Sequence, residues 1–198
     1  MAFKALTGAT GDRLLRLSKT EENRWVCRSP KLAGMGRKRQ MHILNQATWP
    51  NDNTPGDCPK SDDEMLDVLM WLDKGECLMC VASKHEAGNG VITSKGVEAG
   101  HAYSLLQIAT NLGPKKDIDL LQLRNPHGHG SAEWTGAWSD GHPIWATHPA
   151  IKAKLKPDKA DDGCFWIQRE DFVHEFEGIS ICLSDGCAKM RGTGQRSQ

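Results

Sequence analysis

Two residues carry the first chemical signal in this chain, His101 and Asn125. His101 opens the apolar run Ala102-Tyr103-Ser104-Leu105-Leu106-Gln107-Ile108, and Asn125 closes the run Ile118 to Arg124. The connection between them, Ala109 to Asp117, has a length within reach of a hairpin. If the two runs pair antiparallel, His101 and Asn125 fall at the same end of a sheet. A histidine whose ring is oriented by an asparagine amide is the general-base half of a Cys-His-Asn hydrolase. A histidine before a strand and an Asn-Pro turn also occur in ordinary scaffolds.

Other residues with chemical potential are scattered along the chain. Cys77-x-x-Cys80 has the spacing of a redox pair or half a zinc site, but no second C-x-x-C accompanies it, and a structural role is the expectation. His127-x-His129 offers two imidazoles to a metal without an evident third ligand. Gly34 to Arg39 is a small basic cluster, read as a solvated loop.

The elements that must position these groups are partly legible. Ser61 to Lys74 reads as a helix. Ser61 and Glu64 make a capping box, Asp62 and Asp63 suit the positive N-terminal end, and Gly75 stops it. Met65, Leu66, Leu69, Met70 and Leu72 form its apolar stripe. Glu76 to Ala82 reads as a buried strand. Arg24 to Arg28 alternates like a short strand, and Leu14, Leu15 and Leu17 belong to an extended or helical connector. Gly163 to Gln168 reads as a strand, Arg169 to Phe176 as a short helix and Ile179 to Leu183 as a last strand. Met1 to Gly8 reads as a short helix, Asn45 to Lys60 as a turn-rich loop, and residues 184–198 as a disordered tail.

Composition narrows the function classes. The chain has 198 residues, 38% hydrophobic and 25% charged, with a formal net charge of zero. That is one domain's worth of chain without the basic excess expected of a nucleic-acid binder. No apolar run is long enough to span a membrane. Seven cysteines without a regular framework point to a reducing, intracellular (cytoplasmic) setting.

Longer motifs add a family. Gly100-His101-Ala102-Tyr103-Ser104, then Arg124-Asn125-Pro126-x-Gly128, then Glu133-Trp134-Thr135-Gly136-x-Trp138-Ser139-Asp140 resemble the second half of the calpain-type cysteine protease domain. Pro149-Ala150-Ile151-Lys152, Asp161-Asp162-Gly163-x-Phe165-Trp166 and Glu170-Asp171-Phe172 continue the likeness. Upstream, Lys4-Ala5-Leu6-x-Gly8 resembles the family's K-A-L-x-G stretch. The likeness runs over roughly Ala2 to Cys182.

The resemblance implies an α+β fold, the second, mostly antiparallel and partly barrelled lobe of a papain-like protease. A partial catalytic domain would occupy residues 1–183, with its core in 61–183. It implies His101 as the base and Asn125 as its orienter, and calcium held by Glu133, Asp140 and Asp162 with backbone carbonyls. The segment Ser83 to Ala99 corresponds to a mobile loop at the cleft rim. Two departures stand out. The family carries Trp two residues after the Asn, where this chain has His127, and Cys164 stands where the family often has an acid. The family's nucleophile sits in an earlier half-domain, in a Q-G-x-x-x-x-C-W motif. None of Cys27, Cys58, Cys77, Cys80, Cys164, Cys182 or Cys187 is followed by Trp or preceded by that Gln-Gly. The expected partners are therefore a protein substrate and the Cys-bearing half-domain, and this chain alone is expected not to turn over a peptide. A non-catalytic binding module, or a fragment of a longer protein, is the alternative.

Overall fold

A computed structural model of the chain describes residues 14–19, 25–28, 59, 61–85, 88–128, 130 and 132–182. The expected helix near Met1, the basic cluster at 34–39, most of the turn-rich loop at 45–60, His129 and the tail at 184–198 lie outside them. The described residues fall into two compact units. One draws on 1–79 and 178–198, and the other is Cys80–Glu177.

In the first unit, β1 (Leu14–Lys19) lies between β2 (Trp25–Arg28) and β7 (Phe176–Cys182), antiparallel to both. Leu14 to Leu17, open between extended and helical in the sequence, is strand. Helix α1 (Asp62–Lys74) begins where the cap demands: Ser61 Oγ accepts from the Glu64 amide at 3.1 Å. Its buried face is Met65, Leu66, Val68, Leu69 and Leu72. Val68 takes the place expected of Met70, because a 3.6-residue period puts 65, 68, 69 and 72 on one stripe. Each such side chain contributes about 1.5–3 kcal/mol on burial. Asp62 ties the helix start to the strands: its Oδ1 accepts from Trp25 Nε1 at 2.7 Å and from Lys19 Nζ at 3.0 Å. Cys77 is disulfide-bonded whereas Cys80 is a free thiol, so the two do not form a C-x-x-C redox pair.

The second unit is built on the strand order β3-β4-β5-β6, with β3 Leu78–Ser83, β4 Ala102–Leu112, β5 Ile118–Arg124 and β6 Cys164–Gln168. The two central strands pair antiparallel as their apolar patterns require. Strand β4 runs four residues further than the sequence indicated, and the turn shrinks to Gly113–Asp117. A register shift between Leu105 and Gln107 accounts for two successive exposed residues, Leu106 and Gln107. Three short helices follow, α2 (Ile144–Thr147), α3 (Pro149–Leu155) and α4 (Arg169–Glu175). Neither α2 nor α3 has a capping box or a repeating apolar stripe, which is why periodicity missed them. The segment read as a mobile loop carries a small hairpin, with Ile92 bridged to Glu98 and the Ala99 amide donating to Val91 O.

The core of this unit is tryptophan-rich. Trp138, Trp145 and Trp166 pack with Ala109, Leu112, Leu120 and Ile151, and Trp138 meets Trp145 edge to face with centroids 4.8 Å apart. Each indole that anchors the Glu133–Asp140 segment finds an acceptor: Trp134 on Ala137 O, Trp138 on Gln168 Oε1 and Trp145 on Ser139 O. The ring of Trp134 folds back over Gly136 so closely that a Cβ there would overlap it. Gly136→Ala is therefore expected to cost about 1–3 kcal/mol. Urea unfolding followed by circular dichroism should show a lower midpoint with an unchanged slope.

Candidate active site

The hairpin of β4 and β5 sets His101 and Asn125 at one sheet end. Ser104 pairs with Arg124, one residue from Asn125 and three from His101. The Asn125 side chain is fully buried. Its Oδ1 accepts from the His127 amide at 3.0 Å, and its Nδ2 donates to Ala132 O at 3.3 Å. Those two bonds fix the orientation of the amide, since a backbone N–H can only donate and a carbonyl can only accept. The same Oδ1 lies 3.1 Å from His101 Nε2. An oxygen cannot donate, so Nε2 must carry the proton. In the neutral ring the lone pair then sits on Nδ1. The histidine tautomer thus follows from the hydrogen-bond network of its neighbour.

The backbone of His101 is held from β3. Ser83, buried to 1% exposure, accepts from the His101 amide at 2.9 Å and donates its hydroxyl proton to Glu98 O at 2.6 Å. The Ser83 amide donates to His101 O, and the Gly100 amide to Lys84 O. Gly100 turns with φ +67°, and a Cβ there would overlap Asn89 Oδ1, so the residue before the histidine has to be glycine. The turn is closed from inside by Tyr103, whose hydroxyl oxygen accepts from the Glu98 amide at 2.8 Å. Tyr103 also presents an edge-to-face contact to the His101 ring at 5.2 Å.

His127 lies against the His101 ring, centroids 4.5 Å apart and planes 34° apart. Its side chain is 60% exposed, and its Nδ1 is 3.3 Å from Glu98 Oε2. The position that resembles a tryptophan shield is thus filled by a smaller, wetter ring with a partner of its own. Among the described residues, Glu98, His101 and His127 form a group whose ligand atoms all lie within 4.8 Å of one another. Sequence reasoning assigned neither Glu98 nor Ser83 a role at this site. Glu98 stood in a segment read as a loop, and a serine at a strand end has no distinguishing signature. The Gly96-x-x-x-Gly100 spacing around Glu98 marks the tight turn before His101 but not the role of the acid within it.

The second expected group is spread more widely. Glu133 Oε1 accepts from the Gly163 amide at 2.7 Å, and Asp162 Oδ1 from the Cys164 amide at 2.8 Å. Burial, and then the like charges of Glu133, Asp162 and Asp158, push Asp140 up to about 6. Burial also raises Glu133, against the Gly163 hydrogen bond that lowers it. Glu133, Asp140 and Asp162 are therefore near enough to repel one another, yet they are not drawn together as tightly as the Glu98 group. Burial, aided by a hydrogen bond and repulsion from Asp162, lifts the Cys164 thiol to about 11. A thiol held so firmly protonated is a poor nucleophile.

A family model described as calpain family cysteine protease matches residues 35–183.

The chain belongs to the calpain family. Calpain-9 from Homo sapiens is 34% identical over 128 residues, covering 64% of this chain and 18% of that protein. Calpain clp-4 from Caenorhabditis elegans is 37% identical over 109 residues, 52% of this chain and 15% of that protein. The calpain-type cysteine protease DEK1 from Zea mays is 35% identical over 128 residues, 63% of this chain and 6% of that protein. The chain thus matches under a fifth of the length of these calpains. The α+β architecture expected of a calpain lobe is the one observed. No helix among the described residues is long and apolar enough to cross a membrane.

Tyr103 gives this candidate site a direct probe, being the chain's sole tyrosine. Burial lifts it from 10.0 to about 12, and the charge of Glu98 adds to the rise against the lowering effect of the Glu98 amide bond. A raised folded-state value means that the folded chain holds the proton more tightly. The stabilisation is complete below pH 10.0 and is lost as pH climbs through about 12. Tyrosinate absorbance should titrate near 12 in the native chain and near its ordinary value in urea, and Tyr103→Phe should flatten the fall of stability across that window.

Proposed function

We propose that this chain supplies the base and its orienter to a Cys-His-Asn endopeptidase site whose thiol comes from the calpain half-domain that carries the cysteine. The observation that carries this reading is the fixed tautomer of His101. Its Nε2 proton is committed to Asn125, so Nδ1 is the free acceptor. In the assembled site Nδ1 takes the thiol proton and leaves a thiolate–imidazolium pair. The thiolate attacks the peptide carbonyl carbon. As the C–N bond breaks, the imidazolium returns its proton to the departing amine. The acyl-thioester is then hydrolysed by a water that Nδ1 deprotonates, which regenerates the thiol. Asn125 holds the ring plane through both proton transfers.

The test is complementation. Adding the Cys-bearing half of a calpain domain, in trans or by fusion, should produce cleavage of a quenched fluorescent peptide. His101→Ala should remove about 10²–10⁴-fold of it. A stable complex that never cleaves, or cleavage indifferent to His101→Ala, would sink the reading and favour the second one, a non-catalytic binding module. What supports that second reading is that the position of the family's shielding tryptophan holds His127, a smaller ring whose side chain is 60% exposed.

Calcium dependence rests on the crowding of Glu133, Asp140 and Asp162. Hard carboxylate oxygens suit calcium, and a divalent cation would relieve the repulsion that raises Asp140 and Glu133. Saturating calcium is then expected to stabilise the chain by about 2.7 kcal/mol at a hundredfold excess over Kd. Asp140→Asn should abolish that gain while leaving the calcium-free chain no less stable. An unchanged melting temperature at about 1 mM calcium would exclude a site in the range of extracellular modules.

A further inference from the structure

We propose that Glu98, His101 and His127 form a binding site for a borderline transition metal, zinc above all, seated directly on the base of the candidate active site. The donor set is two imidazoles and one carboxylate, with all three ligand atoms within 4.8 Å of one another. Two ligands bonded to one tetrahedral zinc ion at 2.0–2.1 Å are separated by about 3.3 Å. His127 Nδ1 and Glu98 Oε2 already stand 3.3 Å apart. Nitrogen donors select zinc and its neighbours over calcium or magnesium, so this site is chemically distinct from the Glu133 region.

His101 is prepared for the ligand role by the same network that prepares it as a base. A ligating histidine commonly donates its other ring N–H to a fixed acceptor, which sets the tautomer and holds the ring. Asn125 Oδ1 is that acceptor, and Nδ1 is the atom left to meet the metal. Glu98 is held by two backbone bonds, its amide on Tyr103 and its carbonyl on the Ser83 hydroxyl. Its carboxylate is largely buried, at 16% exposure, while His127 lies on the open side at 60%. Three ligands with one exposed face leave a coordination position for water.

The consequence for activity rests on the protease reading above. A metal on Nδ1 occupies the lone pair that would accept the thiol proton, so the ion and the base function are mutually exclusive. Binding itself needs no protease activity. The site arises because residue 127 is a histidine, so this chain can be metal-inhibited where a tryptophan at that position would only shield.

The experiment is a zinc titration of the whole chain with its free thiols alkylated, in competition with a chromogenic chelator, followed by cobalt substitution. One equivalent should bind, with a cobalt spectrum free of thiolate charge-transfer bands. Glu98→Gln and His127→Trp should each weaken binding by more than about 100-fold. In the unmutated chain, zinc should shift the ring resonances of His101 and His127 together and leave the other histidines in place, a readout that needs no variant to fold. Binding that vanishes on alkylation would assign the metal to cysteines and overturn the proposal. So would affinity that survives both substitutions, or ring shifts confined to other histidines. None of these outcomes bears on complementation by the Cys-bearing half, so the two readings fail separately.

Discussion

Everything at the candidate site depends on one oxygen, Asn125 Oδ1. It accepts from a backbone amide and from a ring nitrogen at once, and the first bond gives the second its meaning. Because the His127 amide fixes which end of the side chain is oxygen, the His101 proton has a single place to be. The cost of burying a polar amide is offset by its three bonds, to His127, His101 and Ala132. Replacing it by an apolar residue of similar size would leave the His127 amide without its acceptor and the histidine ring free to turn.

Around that oxygen the protein arranges two supports of different character. The strand pair β4–β5 brings His101 and Asn125 together through register, which is a matter of backbone alone. The turn from Val97 to His101 is held by side chains instead: Ser83 from the neighbouring strand and Tyr103 from beneath. The buried support makes the exposed ring affordable. His127 can be half in water because nothing in the placement of Asn125 relies on its side chain, only on its amide.

Much of this was legible from sequence, and the reasons are specific. The pairing of His101 with Asn125 could be read because alternating apolar residues fix strand register and a short turn fixes direction. Helix α1 could be read because Ser61 and Glu64 form a local signal. The helices α2 and α3 could not, because they owe their existence to Trp145 and Ile151 packing into a tryptophan core rather than to their own periodicity. Glu98 was invisible for a related reason. Its importance comes from a tyrosine five residues later and a serine fifteen residues earlier, and no window of local pattern spans both.

The order in which such a molecule assembles follows from how far apart its partners lie along the chain. Within β4 and β5, Leu112 pairs with Ile118 across a five-residue turn, so closing that hairpin costs little chain entropy and takes about 1–10 μs. Strand β1 must find β7 nearly the length of the chain away, with Leu17 opposite Ile179. Contacts of that span are the slow ones in folding. His101 and Asn125 flank the fast, local hairpin, so the corner that holds them is among the earliest parts of the fold to have its geometry defined.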